Sequence, residues 1–72
     1  EMKNKVKLLD VVALTDDLPE HDLQRWQVGT VVEILAPDAY EVEFADNDGR
    51  PYAELAVKVD KLLVLHYEPA FA

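Results

Sequence analysis

Apolar and polar residues alternate along much of this chain with a period of two, which is typical of half-buried β-strands. In YEVEF, the clearest case, Tyr40, Val42 and Phe44 fall on one face of the segment. Glu41 and Glu43 fall on the opposite face. Prolines, glycines and acidic residues interrupt such segments at short intervals, so the pattern predicts several short strands joined by turns.

Five strands follow from this pattern. They are predicted at residues 10–15, 30–36, 40–44, 51–57 and 63–67, with Gly29 opening the second strand. APDA predicts a turn at Pro37, and ADNDGR predicts a hairpin turn because the Asp-Gly pair tolerates positive φ.

Two segments of the chain do not fit a strand. DDLPEHDLQRWQ has no clean period of apolar residues and predicts a long loop. Leu18 and Leu23 are expected to anchor this loop to the strands. A short helix from Pro19 is the alternative for this segment. KVDKL is long enough only for a single helical turn.

These elements predict an all-β fold, a small five-stranded SH3-like barrel. It has one long loop after the first strand and a single helical turn before the last. The barrel is expected at residues 8–67, with an N-terminal tail at 1–7 and a C-terminal tail at 68–72. The predicted core residues are Val12, Leu14, Val32, Ile34, Tyr40, Val42, Phe44, Leu55, Val57, Leu62 and Val64.

Length and charge restrict the function further. A chain of 72 residues forms one domain, and its net charge of −8 favours basic partners and repels nucleic-acid phosphates. The N-terminus lacks the apolar core of a signal peptide, and no apolar run approaches the roughly 20 residues of a membrane span. We expect Met2 to be the native start, with Glu1 added before it. We also expect the protein to be cytoplasmic and to bind neither nucleic acid nor membranes.

The segments LLDVVAL, DLPEH, QVGTVVEIL, YEVEF and LLVLHYEP, taken together, resemble a family of small bacterial proteins of unknown function that is well represented in cyanobacteria. The resemblance covers residues 8–69 and implies an SH3-like barrel. It brings no activity and no catalytic residue. In the family's pattern a glycine or another small residue stands where this chain has Trp26, so the resemblance does not extend to a ligand surface there.

Two features are candidates for binding a partner. Glu41 and Glu43 share one face of the third strand, and Glu33 and Glu54 are expected beside them on neighbouring strands. Like charges on adjacent strands cost stability unless a cation or a basic partner is near, although a solvated acidic surface is the alternative. Trp26 either contributes, beside Tyr40 or Tyr52, to an aromatic peptide-binding groove or caps one end of the core.

Motifs for chemistry are weak. DNDG begins like a calcium loop, but Arg50 and Val57 occupy the positions where an EF-hand has acids. Gly29 leads into a strand, whereas a phosphate cradle needs several glycines leading into a helix. His21 lies among acids in a loop that rarely preorganises a metal site, and His66 is expected on a strand flank. The chain has neither cysteine nor serine. We therefore expect no cofactor, no metal and no enzymatic activity.

Two classes of function remain from the sequence. The first is a protein–protein interaction module that docks a basic partner through its acidic face, as antitoxins and immunity proteins do. The second is an accessory or small-ligand-binding domain of an enzyme complex, which should have a closed pocket. Small barrels leave strand edges open, so weak self-association through these edges or the apolar tail EPAFA is a further hypothesis.

Overall fold

The computed structural model describes residues 6–66 of the chain. Residues 1–5, which form most of the predicted N-terminal tail, lie outside the described residues. So do Tyr67, at the end of the predicted fifth strand, and the tail EPAFA at 68–72.

The described residues form five strands and two 3₁₀ turns, and all strand pairings are antiparallel. The strands are β1 (Val11–Leu14), β2 (Val28–Ala36), β3 (Ala39–Ala45), β4 (Pro51–Lys58) and β5 (Leu62–Val64). One 3₁₀ turn, Pro19–His21, lies in the long loop, and the other, Val59–Lys61, precedes β5.

The sheet has the strand order β4-β3-β2-β1-β5. Sequential hairpins join β2 to β3 and β3 to β4, whereas β5 returns across the molecule to pair with β1. This arrangement confirms the predicted all-β class and the predicted plan of an SH3-like barrel. β4 and β5 form the two edges of the sheet.

The core confirms most of the predicted positions. Phe44, Leu14, Val12, Val31 and Val42 are the largest fully buried side chains. Tyr40, Val57 and Leu62 are also buried, while Leu55 and Val64 are partly buried and pack against the same cluster.

The prediction is wrong for Val32 and Ile34, which are 36% and 52% exposed. Val31 takes their place in the core. Ile34 pairs with the buried Tyr40 but lies near the end of β2, where the core does not cover it. For Val32 the cause is a β-bulge: Val31 pairs with Val42 and Glu33 with Glu41, so Val32 is an extra residue on β2. An inserted residue shifts the inward and outward alternation of a strand, which ends the simple period of two.

The long loop is anchored as the sequence predicts. Leu23 is buried, Leu18 packs against the core, and two backbone hydrogen bonds of 2.9 and 3.1 Å join these two residues. The alternative helix is reduced to the three-residue turn Pro19–His21. Lys61 Nζ lies 2.9 Å from the Asp16 carboxylate, and this contact ties the loop to the turn before β5.

The predicted hairpin turn after β3 is stabilised by one side chain. Asp46 Oδ1 accepts hydrogen bonds of 2.9 Å from the backbone N–H groups of Asp48 and Arg50. Gly49 follows with φ of +80°, a left-handed conformation that glycine adopts without a steric cost. The first acid of DNDG, Asp46, therefore serves the turn itself.

Gly29 allows two strands to approach closely. It is buried and pairs with Phe44 of β3, and a Cβ atom there would lie 2.6 Å from Val42 Cγ1 and 2.9 Å from the Glu43 carbonyl oxygen. No side chain fits in that space. The φ of Gly29 is not positive, so the close backbone approach accounts for this glycine.

Candidate functional site

Four glutamates meet on the outer face of β2, β3 and β4. Glu33 pairs directly with Glu41, and Glu43 pairs directly with Glu54. Paired residues of neighbouring strands point to the same side of a sheet. That side is opposite to the one from which Tyr40, Val42 and Phe44 enter the core. We call Glu33, Glu41, Glu43 and Glu54 the acidic quartet.

Hydrogen bonding couples two members of the acidic quartet. Protonated Glu54 donates a hydrogen bond to the Glu41 carboxylate, its diagonal neighbour, which raises the pKa of Glu54 above its ordinary value of 4.5. Desolvation and the negative charge of Glu41 act in the same direction. The quartet thus holds negative charge at a density that costs electrostatic free energy.

Two cations among residues 6–66 form ion pairs elsewhere on the surface. Lys61 pairs with Asp16, and Arg50 lies 3.9 Å from Asp48. The Asp16 carboxylate raises the pKa of Lys61 by a hydrogen bond and by its charge. Among the ion pairs formed within these residues, none includes a member of the quartet.

Trp26 does not cap the core. Its side chain is 54% exposed, and the guanidinium carbon of Arg25 lies 4.6 Å from its ring centroid. Its φ of 76° is a left-handed conformation that bulky residues rarely adopt. The backbone N–H of Trp26 donates a 2.8 Å hydrogen bond to the Leu14 carbonyl oxygen, which holds the loop at this point.

A second exposed aromatic residue lies near this loop. Gln27 Nε2 donates a 3.0 Å hydrogen bond to the hydroxyl of Tyr52, which is also half exposed. The Tyr52 ring lies 6.4 Å from the ring of the buried Phe44, and this contact fixes Tyr52 at the end of the core.

The structure brings together the four predicted glutamates but not Trp26. Glu43 faces Thr30 on β2, and Trp26 lies four residues before Thr30 along the chain. Trp26 lies in a turn before β2 begins at Val28, outside the three strands that carry the quartet. It is therefore not a part of the quartet.

Two surface depressions of the described residues are open to solvent. The larger, about 310 Å³, lies in the long loop between Asp17, Pro19 and Asp22. The smaller, about 170 Å³, lies between the first 3₁₀ turn and β4, with His21, Leu55 and Lys58 among its lining residues. Neither is the closed pocket that the small-ligand hypothesis requires.

The remaining candidates for chemistry stand apart from one another. Within residues 6–66, no group of three or more histidine, aspartate and glutamate side chains is arranged to hold a metal ion. His66 is exposed and follows β5, whereas His21 lies in the long loop. No helix among the described residues is long and apolar enough to cross a membrane.

Comparison with known proteins assigns a family to most of the chain. No curated protein and no solved structure matches the chain. The family described as Domain of unknown function (DUF4926) matches residues 8–64, which span all five strands and the acidic quartet. The chain therefore belongs to the DUF4926 family, whose function is unknown.

Proposed function

We propose that this protein is a non-catalytic interaction module whose acidic quartet binds a basic surface of another protein. The observation that carries this proposal is the register of β2, β3 and β4, which sets Glu33 against Glu41 and Glu43 against Glu54. Like charges directly opposite one another destabilise a sheet, and lysine or arginine side chains from a partner would relieve that cost. The interaction would thus stabilise both the complex and the sheet.

The net charge of −8 supports the same class of partner. It attracts basic proteins over long range, raising the rate of association, and repels nucleic acids and anionic membranes. By analogy with antitoxins and immunity proteins, binding would neutralise or chaperone the basic partner. The interaction would take place in the cytoplasm of a bacterium, which the family resemblance of the sequence supports.

A charge-reversal experiment tests the proposal. The Glu41→Lys/Glu43→Lys variant and wild type serve as baits for affinity capture from the native host. The captured partner is then purified and titrated calorimetrically at several salt concentrations. We expect the variant to lose the partner, and wild-type affinity to fall as salt rises, because screening weakens charge attraction. Duplex DNA, titrated in parallel, should not bind.

A matched variant separates the quartet from net charge. Glu20→Lys/Asp60→Lys changes two exposed acids outside the quartet and alters the net charge by the same amount. It should retain the partner. Because the two lysines introduced on β3 would face Glu33 and Glu54, the quartet variant should stay folded by circular dichroism. If both variants retain the same partners as wild type, the quartet is only a solvated surface.

A further inference from the structure

Beside the acidic quartet, the outer face of the sheet carries a row of apolar residues. Leu63 of β5 pairs with Ala13 of β1, and Ala13 pairs with Val28 of β2. Leu63 and Val28 are 48% and 44% exposed, whereas Ala13 between them is 4% exposed. The neighbours of Ala13 in β1, Val12 and Leu14, enter the core, so this row lies on the opposite, outer side. We call Val28, Ala13 and Leu63 the apolar row.

The apolar row and the acidic quartet lie on one continuous surface. Val11 pairs with Thr30, Thr30 with Glu43, and Glu43 with Glu54, so the next row of the same face leads from β1 directly to the quartet. Adjacent strands are about 4.8 Å apart, and the centre of the apolar row on β1 is about 10 Å from β3. A single bound segment of polypeptide can span both.

We infer that the apolar row and the acidic quartet form one docking surface for a polypeptide segment that carries both apolar and basic side chains. The apolar side chains would cover Val28 and Leu63, while lysine or arginine side chains about 10 Å away meet the quartet. This inference rests on the proposed function and specifies the partner: a purely basic surface would leave half of the docking surface uncovered.

Charge determines the occupant of this surface. A second copy of the chain would bring its own negative charge toward the quartet, and phosphate groups of nucleic acids or lipids would be repelled in the same way. An apolar segment without cations would leave the like-charge pairs Glu33–Glu41 and Glu43–Glu54 uncompensated. The amphipathic basic segment is the occupant that complements both parts.

Three synthetic peptides of equal length test the inference against the full chain. The first has leucines in one half and lysines in the other, the second replaces its leucines with serine, and the third replaces its lysines with serine. Trp26 is the only tryptophan of the chain, so its fluorescence reports binding near the apolar row, and calorimetry gives the affinity. We expect the first peptide to bind at least about tenfold more tightly than either of the others.

Variants of the protein test whether the tenfold difference in peptide affinity comes from the apolar row and the acidic quartet. Val28→Thr/Leu63→Gln should reduce the affinity for the leucine–lysine peptide to that of the lysine–serine peptide and leave the latter unchanged. Ile34→Thr, a change at an exposed residue of the same strand outside the row, should leave both unchanged. Glu41→Lys/Glu43→Lys should abolish binding of both basic peptides. Circular dichroism verifies the fold of each variant.

The outcomes distinguish this inference from the proposed function. Equal binding of the two basic peptides, lost on charge reversal of the quartet, overturns the inference and leaves the proposed function standing. Binding that charge reversal does not affect overturns both. If light scattering gives a dimer for wild type and a monomer for Leu63→Gln, a second copy of the chain occupies the apolar row. If the leucine–lysine peptide binds more tightly than the lysine–serine peptide only after residues 67–72 are removed, the chain's own C-terminal segment occupies the apolar row. Either result overturns the inference.

Discussion

Trp26 occupies a backbone conformation that its side chain disfavours. A left-handed φ, here 76°, costs an L-residue about 1–2 kcal/mol, which glycine does not incur. The hydrogen bond from the backbone N–H of Trp26 to Leu14 holds this conformation. The Arg25 guanidinium over the indole ring offsets about 0.5–1 kcal/mol of its cost. Glycine is the residue type that adopts this angle without a steric cost.

This backbone strain predicts an inverted order of stability at residue 26. Trp26→Gly should be more stable than Trp26→Ala by about 1 kcal/mol, because only glycine relieves the left-handed φ. Urea denaturation of both variants measures the difference. Gln24, whose φ is not positive, provides the control, and there the alanine variant should be the more stable one. Alanine more stable than glycine at both positions would mean that Trp26 is unstrained.

The bulge in β2 decides which valine of the strand belongs to the core. Val31 is fully buried and pairs with Val42, whereas Val32 is the extra residue and is exposed. Val31→Ala should therefore cost about 2–3 kcal/mol, and Val32→Ala less than about 1 kcal/mol. Urea denaturation curves measure both. Similar costs for the two variants, or a larger one for Val32→Ala, would contradict this register.

The sequence predicts β3 and its glutamates well for a simple reason. The alternation in YEVEF is uninterrupted, and the short hairpins on both sides fix the register that brings Glu33 and Glu54 beside Glu41 and Glu43. In VGTVVEILA, apolar residues fill both faces around Val31 and Val32, so the period cannot reveal where a bulge inserts a residue.

The apolar row was missed for a related reason. Leu63 lies within LLVL, where every position is apolar and the pattern does not distinguish the inner from the outer face. Only the pairing of β5 with β1 shows that Leu62 turns inward while Leu63 faces out beside Ala13. The exposure of Trp26 likewise depends on a φ angle that residue types do not encode.

The pairing of β3 with β4 also makes stability depend on pH through Glu54. The hydrogen bond to Glu41 raises its pKa in the folded protein above the ordinary 4.5, so the folded state binds this proton more tightly than the unfolded state. Stability from Glu54 is therefore greatest below the ordinary pKa and is lost as pH rises through the raised value.

Glu54→Gln tests this dependence. The variant should be more stable than wild type at about pH 7, and the difference should shrink as pH falls below about 4, where Glu54 is protonated in both states. Thermal unfolding followed by circular dichroism across this range measures the effect. Glu20→Gln, an exposed control in the long loop, should show no such trend. A stabilisation by Glu54→Gln that is constant with pH would have another cause.

At the scale of the whole molecule, one small core supports a highly charged surface. The inward-facing buried side chains of the five strands form a single cluster with the loop residue Leu23, and no charged residue among 6–66 is buried with them. A core in a domain below about 70–80 residues rarely supplies more than about 3–5 kcal/mol of net stability. The inner face of the sheet thus stabilises the fold, and the outer face carries the surface proposed for binding.

Phe44 is the residue on which this balance depends most. It is the largest fully buried side chain, it packs beside Gly29 at the close approach of β2 and β3, and its ring lies near that of Tyr52. Removing a buried phenylalanine side chain costs about 3–5 kcal/mol, which equals the stability that such a core supplies. Phe44→Ala should therefore be largely unfolded at 25 °C, with the strand signal in circular dichroism and the dispersion of NMR amide resonances both lost. Phe44→Leu, which keeps most of the buried volume, should remain folded with a lower urea midpoint. Phe44→Ala that unfolds cooperatively in urea at nearly the wild-type midpoint would show that stability does not depend on this single core.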